Sequence, residues 1–432
     1  MRRIVIVLSI GLLAMSSFAG DEIPGAEQSA PVLLRGGDLY TVSDGVRPST
    51  DLLFSNGKIE AIGRNLTAPE GTEIIDVEGM RVYPGLIGAQ TTIGLIEISA
   101  VRATNDLDEV GDLTPEVTAH TAYNPDSEII PTVRANGVTT IQVTPTGDLV
   151  RGRSFITHLD GWTVEDAGVV PIDGMSLQWP AVRPVHSWWV EKSEDEQLEE
   201  MAEHRRLLRE FFDDATAYEL AKEAGRNVET NVRLASMIPL LRDEIPLFVD
   251  ADDYRQIVEA VAFAGEYGVD LVIVGGREAG KATELLRRRN IPVIVGATHA
   301  LPMRQDDDYD QAFELPARLH EAGVKFCLSH PSSWATRNLA LQAGQAVAFG
   351  LPAEVALRSI TLSAAEILGI DDRQGSLEVG KDATLFVSEG DVMDMLGHRV
   401  TEMWIEGRRV DLDSRQKELY RKYREKIERM SE

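Results

Sequence analysis

The sequence predicts an α/β barrel that carries a small β-domain assembled from both ends of the chain. Three observations lead there. Short apolar runs alternate with helical patterns through the middle of the chain. Residues 31–83 read instead as short strands joined by tight turns. After residue 374 the β pattern returns.

At the N-terminal end, Arg2 and Arg3 precede an apolar stretch over residues 4–15, and Ser17-Phe18-Ala19 fits a small-x-small cleavage rule. This reads as a secretory signal over residues 1–19, with a mature chain starting near Gly20 in a periplasm or outside the cell. The stretch is short for a bilayer span, so no membrane association is expected once it is removed. The next strands are Val32-Leu33-Leu34, Asp51-Leu52-Leu53-Phe54, Ile59-Glu60-Ala61-Ile62 and Ile74-Ile75-Asp76-Val77. Asn56-Gly57 between two of them is a hairpin signal.

Strand candidates of the middle section are residues 139–144, 246–250, 269–274, 291–295 and 325–328. Helical spacing covers 253–267, 278–289, 309–321 and 335–349. Repeated units of this size imply a parallel sheet with helices outside, and repetition over this length favours closure, with functional groups at the C-terminal strand ends. Residues 194–225 form a further helix, with Leu198, Met201, Leu208, Phe211, Phe212, Ala215 and Tyr218 on its packed face. Strands at 383–387 and 401–405 complete the first β-domain. The organisation expected is therefore 20–83 with 375–412 as one composite domain, 84–374 as the barrel, and 413–432 as a C-terminal helix. That helix gathers Leu419, Tyr420, Tyr423, Ile427 and Met430 on one face.

The bulk numbers narrow the partners. The chain has 432 residues, a net charge of −27 and a single cysteine. Such acidity repels nucleic acid and anionic lipid, leaving a small-molecule ligand as the expected partner. One cysteine permits neither an intrachain disulfide nor a thiolate metal cluster. Cys327, inside the run Val324-Lys325-Phe326-Cys327-Leu328, reads as buried packing.

Three motifs in order carry a family resemblance. They are Gly57-Lys58-Ile59-Glu60-Ala61-Ile62-Gly63 leading to Tyr83-Pro84-Gly85-Leu86-Ile87, then Thr361-Leu362-Ser363-Ala364-Ala365-Glu366-Ile367-Leu368-Gly369, then Gly375-Ser376-Leu377-Glu378-Val379-Gly380-Lys381-Asp382-Ala383. Together they resemble the amidohydrolase superfamily, in its imidazolonepropionase-like branch. The resemblance implies a TIM-type (β/α)8 barrel with a discontinuous β-sandwich, and a history of hydrolysing non-peptide C–N bonds in small cyclic amides. It is compatible with a homo-oligomer. In such enzymes zinc lowers the pKa of bound water from about 15.7 to about 7. At about 1.36 kcal/mol per unit, that is worth about 12 kcal/mol.

The ligand positions the resemblance implies are altered. Where the family has Asp and His-x-His after Pro-Gly-Leu-Ile, this chain has Gly88, then Gln90 and Thr92. Asp250 stands at the histidine of the fifth strand, Gly275 at the sixth-strand histidine, and Ser329 at the final aspartate. Neutral oxygens and a glycine suit zinc poorly, so no cofactor is expected unless a relocated zinc site exists. The residues left to do acid–base work are Asp250, His299 and His330. Candidates for contacting a ligand are Asp252 and the polar loop residues Glu97, Arg102 and Asn105. Several bland readings stand beside these. The histidines would serve as hydrogen-bonded structural residues, and Asp250 or Asp252 as a cap for the helix from Asp253. Asp306-Asp307-Asp308 reads as a solvated loop. Trp162, Trp179, Trp188 and Trp189 are loop aromatics for either a pocket or packing. Three readings remain open: a binding or structural protein descended from an enzyme, an active hydrolase with relocated ligands or a metal-free Asp/His mechanism, and, less favoured, a subunit that pairs with an active homologue.

Overall fold

The computed structural model describes residues 23–304 and 306–431. The signal-like segment lies outside them.

The N-terminal strands are β1 (Val32–Tyr40), β2 (Val46–Ser55), β3 (Lys58–Gly63), β4 (Glu73–Asp76) and β5 (Arg81–Pro84). β2 and β3 meet at Asn56 and Gly57, both with positive φ, as a two-residue hairpin with right-handed strand twist requires. The barrel strands are β6 (Leu86–Thr91), β7 (Val138–Val143), β8 (Val150–His158), β9 (Gly168–Gln178), β10 (Leu247–Ala251), β11 (Leu271–Gly275), β12 (Val293–Val295) and β13 (Phe326–Leu328). Near the C-terminus come β14 (Leu385–Ser388), β15 (Val400–Ile405) and β16 (Arg408–Arg409).

Strands from both chain ends share one sheet, in the order β16-β15-β14-β5-β1-β2-β3, with β4 also paired to β1. It is one continuous sheet wrapped around its own core rather than two separate sheets. Phe54 of β2 meets Trp404 of β15 edge-on at 5.5 Å between ring centroids, and Leu34, Leu52, Val82 and Leu385 fill the space around them.

The second sheet runs β13-β12-β11-β10-β9-β8-β7-β6. It departs from the expected eight parallel strands in two ways. β8 is antiparallel to both β7 and β9, so residues 138–178 form a meander where a strand–helix–strand unit was expected. The ring also lacks a ladder between β13 and β6. There the helix Leu362–Ile367 fills the seam, with Ala364, Ala365 and Ile367 packed among Ile87, Ala89, Val274, Ile294 and Cys327 of the interior. The Ile87 N–H bonds the Ile360 carbonyl at 2.9 Å, which satisfies an edge that a strand would otherwise cover. Cys327 is fully buried, and burial pushes its thiol up to about 12, so it packs and does not react.

The helix Glu194–Glu223 opens on a capping box. The Glu196 N–H donates to the Ser193 hydroxyl at 3.3 Å, and the Ser193 N–H donates to Glu196 Oε2 at 2.8 Å. Its buried face carries Met201, Leu208, Phe211, Phe212, Ala215 and Tyr218, whereas Leu198, one turn earlier, is exposed instead of packed. The last helix, Arg415–Ser431, leaves Tyr420, Tyr423, Ile427 and Met430 exposed. Among the described residues no helix is long and apolar enough to cross a membrane.

Candidate functional site

The C-terminal ends of β6, β10, β11, β12 and β13 open into one chamber of about 500 Å³. Its walls are largely apolar, with Val274, Ile294, Val295 and Leu315 inside and Leu301 and Met303 at the outer rim. Gln90, Asp250, Asp252, Gly275 and Ser329 all line it. Counted from β6, Asp250 lies on the fifth strand of the ring, Gly275 on the sixth, and Ser329 directly after the eighth.

Gln90 sits at a register shift between β6 and β7 with φ +53, a conformation unusual for a residue with a side chain. It is held there by Gln142 of β7. The Gln90 backbone N–H donates to Gln142 Oε1 at 3.0 Å, and Gln90 Nε2 donates to the same oxygen at 2.9 Å. Gln142 Nε2 in turn donates to Asp173 Oδ2 at 2.6 Å and to Ser154 Oγ at 3.4 Å. Burial pushes the Asp173 carboxyl up to about 6, against the hydrogen bonds from Ser154 and Gln142, and its Oδ1 finds no partner. Gln142 and Asp173 escaped the sequence reading. A polar residue inside the apolar run of β7 was the available signal for Gln142.

Asp250 is bound by Arg151, which reaches it from β8, the reversed strand. The same guanidinium donates to Gln178 Oε1 at 2.5 Å and to the Gly147 carbonyl at 3.1 Å. Burial raises the Asp250 carboxyl above its ordinary range, and Arg151 opposes that rise. Asp252 pairs with Arg277, its Oδ1 accepting from the backbone N–H at 3.2 Å and its Oδ2 lying 3.4 Å from Nη2. Neither aspartate caps the following helix. Asp253 does, accepting from the Arg255 N–H at 2.8 Å.

Gly275 has φ +79, and a Cβ built on it would lie 2.6 Å from Asp252 Oδ1. The space beside this strand end is thus filled by a carboxylate from just past the neighbouring strand β10. Ser329 is buried and donates its hydroxyl proton to the Ala89 carbonyl. Thr92 is half-buried and does not line the chamber.

His299 is exposed and His330 half-buried, and neither lines the chamber, although Ala300 and Pro331 beside them do. Burial lowers the His330 pKa, and proximity to His299 lowers it further. The Ser332 N–H donates to His330 Nδ1 at 3.1 Å. A neutral ring with Nδ1 accepting carries its proton on Nε2, so it presents a donor and not a basic lone pair.

The polar loop candidates lie away from the chamber. Glu97 is half-buried and accepts from Asn124 Nδ2 at 3.2 Å, with its carboxyl raised by burial. Arg102 is exposed in the turn Arg102–Thr104, and Asn105 accepts from the Leu107 N–H at 3.4 Å. The Trp residues do not line it either. Trp179 is core, donating from Nε1 to Glu259 at 3.0 Å, while Trp188 and Trp189 form an exposed edge-on pair. The acidic run is not a solvated loop throughout. The side chain of Asp307 is 3% exposed and holds Arg304 at 2.9 Å, because Arg304 also binds Glu278 and so ties this loop to the start of the helix Tyr254–Tyr267.

Zinc needs three or four imidazole, thiolate or carboxylate donors at about 2.0–2.3 Å. Among the described residues no group of three such side chains converges. The one carboxylate left at an expected position already binds a guanidinium. The donor set does not fit the metal.

A ring of strands with its polar groups at the C-terminal mouth, joined to a sheet built from both chain ends, defines an amidohydrolase-type scaffold. The comparisons agree. A family profile described as "Amidohydrolase family" matches residues 309–410. An amidohydrolase structure from Thermotoga maritima MSB8 superposes with a TM-score of 0.78 at 28% identity, covering 88% of this chain and 99% of that one. Amidohydrolase tasK of Hapsidospora irregularis is 22% identical over 83% of this chain. A dihydroorotase of Pelobacter propionicus is 43% identical over 56 residues, 13% of each chain. The chain spans 39% of the length of the first of these curated relatives and 13% of the second. In sequence over its C-terminal quarter and in fold over most of its length, the chain is similar to members of the amidohydrolase superfamily.

Proposed function

We propose that this protein is an exported amidohydrolase-family member that binds a small molecule in the barrel mouth and no longer hydrolyses by a metal-bound water. By descent its ligand class is the cyclic amides and related C–N compounds of its imidazolonepropionase-like relatives. The observation that carries the reading is the Asp250–Arg151 pair. A cation is needed beside Asp250 to offset its burial, and β8 supplies one as a side chain. The apolar chamber with a few convergent polar groups supports ligand binding. Export rests on the signal-like residues 1–19.

The hydrolase alternative would use Asp250, His299 and His330. The lowered pKa of His330 favours it by keeping the ring neutral. The Ser332 N–H on Nδ1 weighs against it, since the remaining nitrogen then carries the proton. Metal analysis of the purified chain after dialysis against zinc tests the proposal. Less than about a tenth of an equivalent of zinc is expected for sites of so few donors. Stoichiometric zinc abolished by Asp250→Asn would overturn it.

A further inference from the structure

Building on the binding reading above, we infer that the chamber takes a ligand whose buried end is a cationic hydrogen-bond donor, a primary ammonium or an amidinium, carried on an apolar body.

The polarity of the chamber's floor is fixed by the relay beneath it. A backbone N–H can only donate, so the atom of Gln142 facing the Gln90 N–H must be its oxygen. Gln142 then turns its amide nitrogen to Asp173 and Ser154. The Gln90 group nearest Gln142 Oε1 must likewise be its nitrogen. Gln90 Oε1 is left over, without a partner among the described residues, on a side chain that lines the chamber.

The neighbouring groups repeat that polarity. Ser329 commits its proton to the Ala89 carbonyl, leaving oxygen lone pairs. Asp250 gives Oδ2 to Arg151 and keeps Oδ1 open, with its side chain 30% exposed. Gln311 donates from Nε2 to the Arg277 carbonyl at 3.0 Å, so its oxygen is the free end. Four side chains from β6, β10, β13 and the helix Gln311–Glu321 therefore present acceptors to the same space.

A carboxylate placed there would meet lone pairs, and a hydroxyl has one proton to share among them. An ammonium offers three donors and no acceptor. The charges at the mouth agree. Asp250, Asp252, Asp307 and Asp308 line it against Arg277 alone, and Arg151 and Arg304 behind the wall leave no excess of positive charge. The apolar walls accommodate the rest of the ligand.

The test is calorimetric titration of the intact chain with three probes that share one apolar body: phenethylammonium, phenethyl alcohol and hydrocinnamate. Phenethylammonium is expected to bind about tenfold or more tightly than the alcohol, the size of one charge-assisted hydrogen bond. Hydrocinnamate is expected to bind most weakly. Asp250→Asn should weaken the ammonium by about tenfold and the alcohol by less than about threefold. Equal or tighter binding of the alcohol or of hydrocinnamate overturns the donor-head inference and leaves the binding reading standing. Failure of all three probes to bind at about millimolar concentration also overturns the inference. Stoichiometric zinc at Asp250 is the separate result that would remove the reading beneath it.

Discussion

Asp173→Asn should stabilise the protein, and by an amount that depends on pH. The carboxyl of Asp173 is buried, and its pKa lies at about 6 instead of the ordinary 3.8. The folded state therefore holds its proton more tightly than the unfolded state does. Below the ordinary value both states are protonated and the residue costs nothing. As pH rises, the unfolded chain releases the proton first and stability falls. The full cost is reached above the folded value. A shift from 3.8 to about 6 corresponds to a cost on the order of 3 kcal/mol at about pH 8, and to roughly half of that at about pH 5. Asparagine removes the titration while its oxygen still accepts from Gln142 Nε2. Urea unfolding, followed by tryptophan fluorescence at about pH 5 and about pH 8, reads the difference. A gain that is larger at the higher pH is expected. An equal change at both values, or a loss at the higher one, would refute the account of a carboxyl held neutral by burial.

Two further perturbations probe the mouth. Arg151→Met strands the Asp250 charge, and the partial exposure of Asp250 reduces the usual buried-pair penalty to about 2 kcal/mol of stability. Adding Asp250→Asn to it should recover most of that loss, and strictly additive losses in chemical unfolding would contradict a direct pair. Arg304→Ala releases the loop that carries Leu301 and Met303 from Glu278 and Asp307. Burial alone would raise the Glu278 carboxyl, but Lys281, the Tyr254 N–H and Arg304 hold it at about 2, so this contribution exists above pH about 4.5 and fades as pH falls toward 2. The variant should lose stability from a higher pH downward. Non-specific protease should cut the loop about tenfold faster at neutral pH, the effect of about 1.4 kcal/mol of local stability. An unchanged cleavage rate would show that the clamp does not hold the loop.

Much of the fold was legible because periodicity reports burial. The strands β10 to β13 and the helices between them carry apolar runs that this arrangement buries. The meander of residues 138–178 was not foreseen. Its reversed strand, Val150-Arg151-Gly152-Arg153-Ser154-Phe155, alternates in a way that fits a strand of either direction, and pairing direction is set by neighbours far away in sequence. The mouth was half legible. The family's spacing located Gln90, Asp250, Gly275 and Ser329, and the chamber collects all four. The partners that decide their chemistry, Arg151, Gln142 and Asp173, come from other strands, and no local pattern announces them. His299 and His330 follow strand ends in sequence, yet neither lines the chamber.

The carboxylate beside Gly275 and the left-handed backbone beneath it reserve this strand end for a residue without a side chain. Placing an imidazole there would drive its first carbon into Asp252 and force a left-handed backbone on a bulky residue. Asp252, half-exposed, can swing aside by loosening its hold on Arg277, so the clash is the lesser cost. The backbone conformation is the lasting obstacle, and it keeps this strand end bare of any side chain that could reach into the chamber.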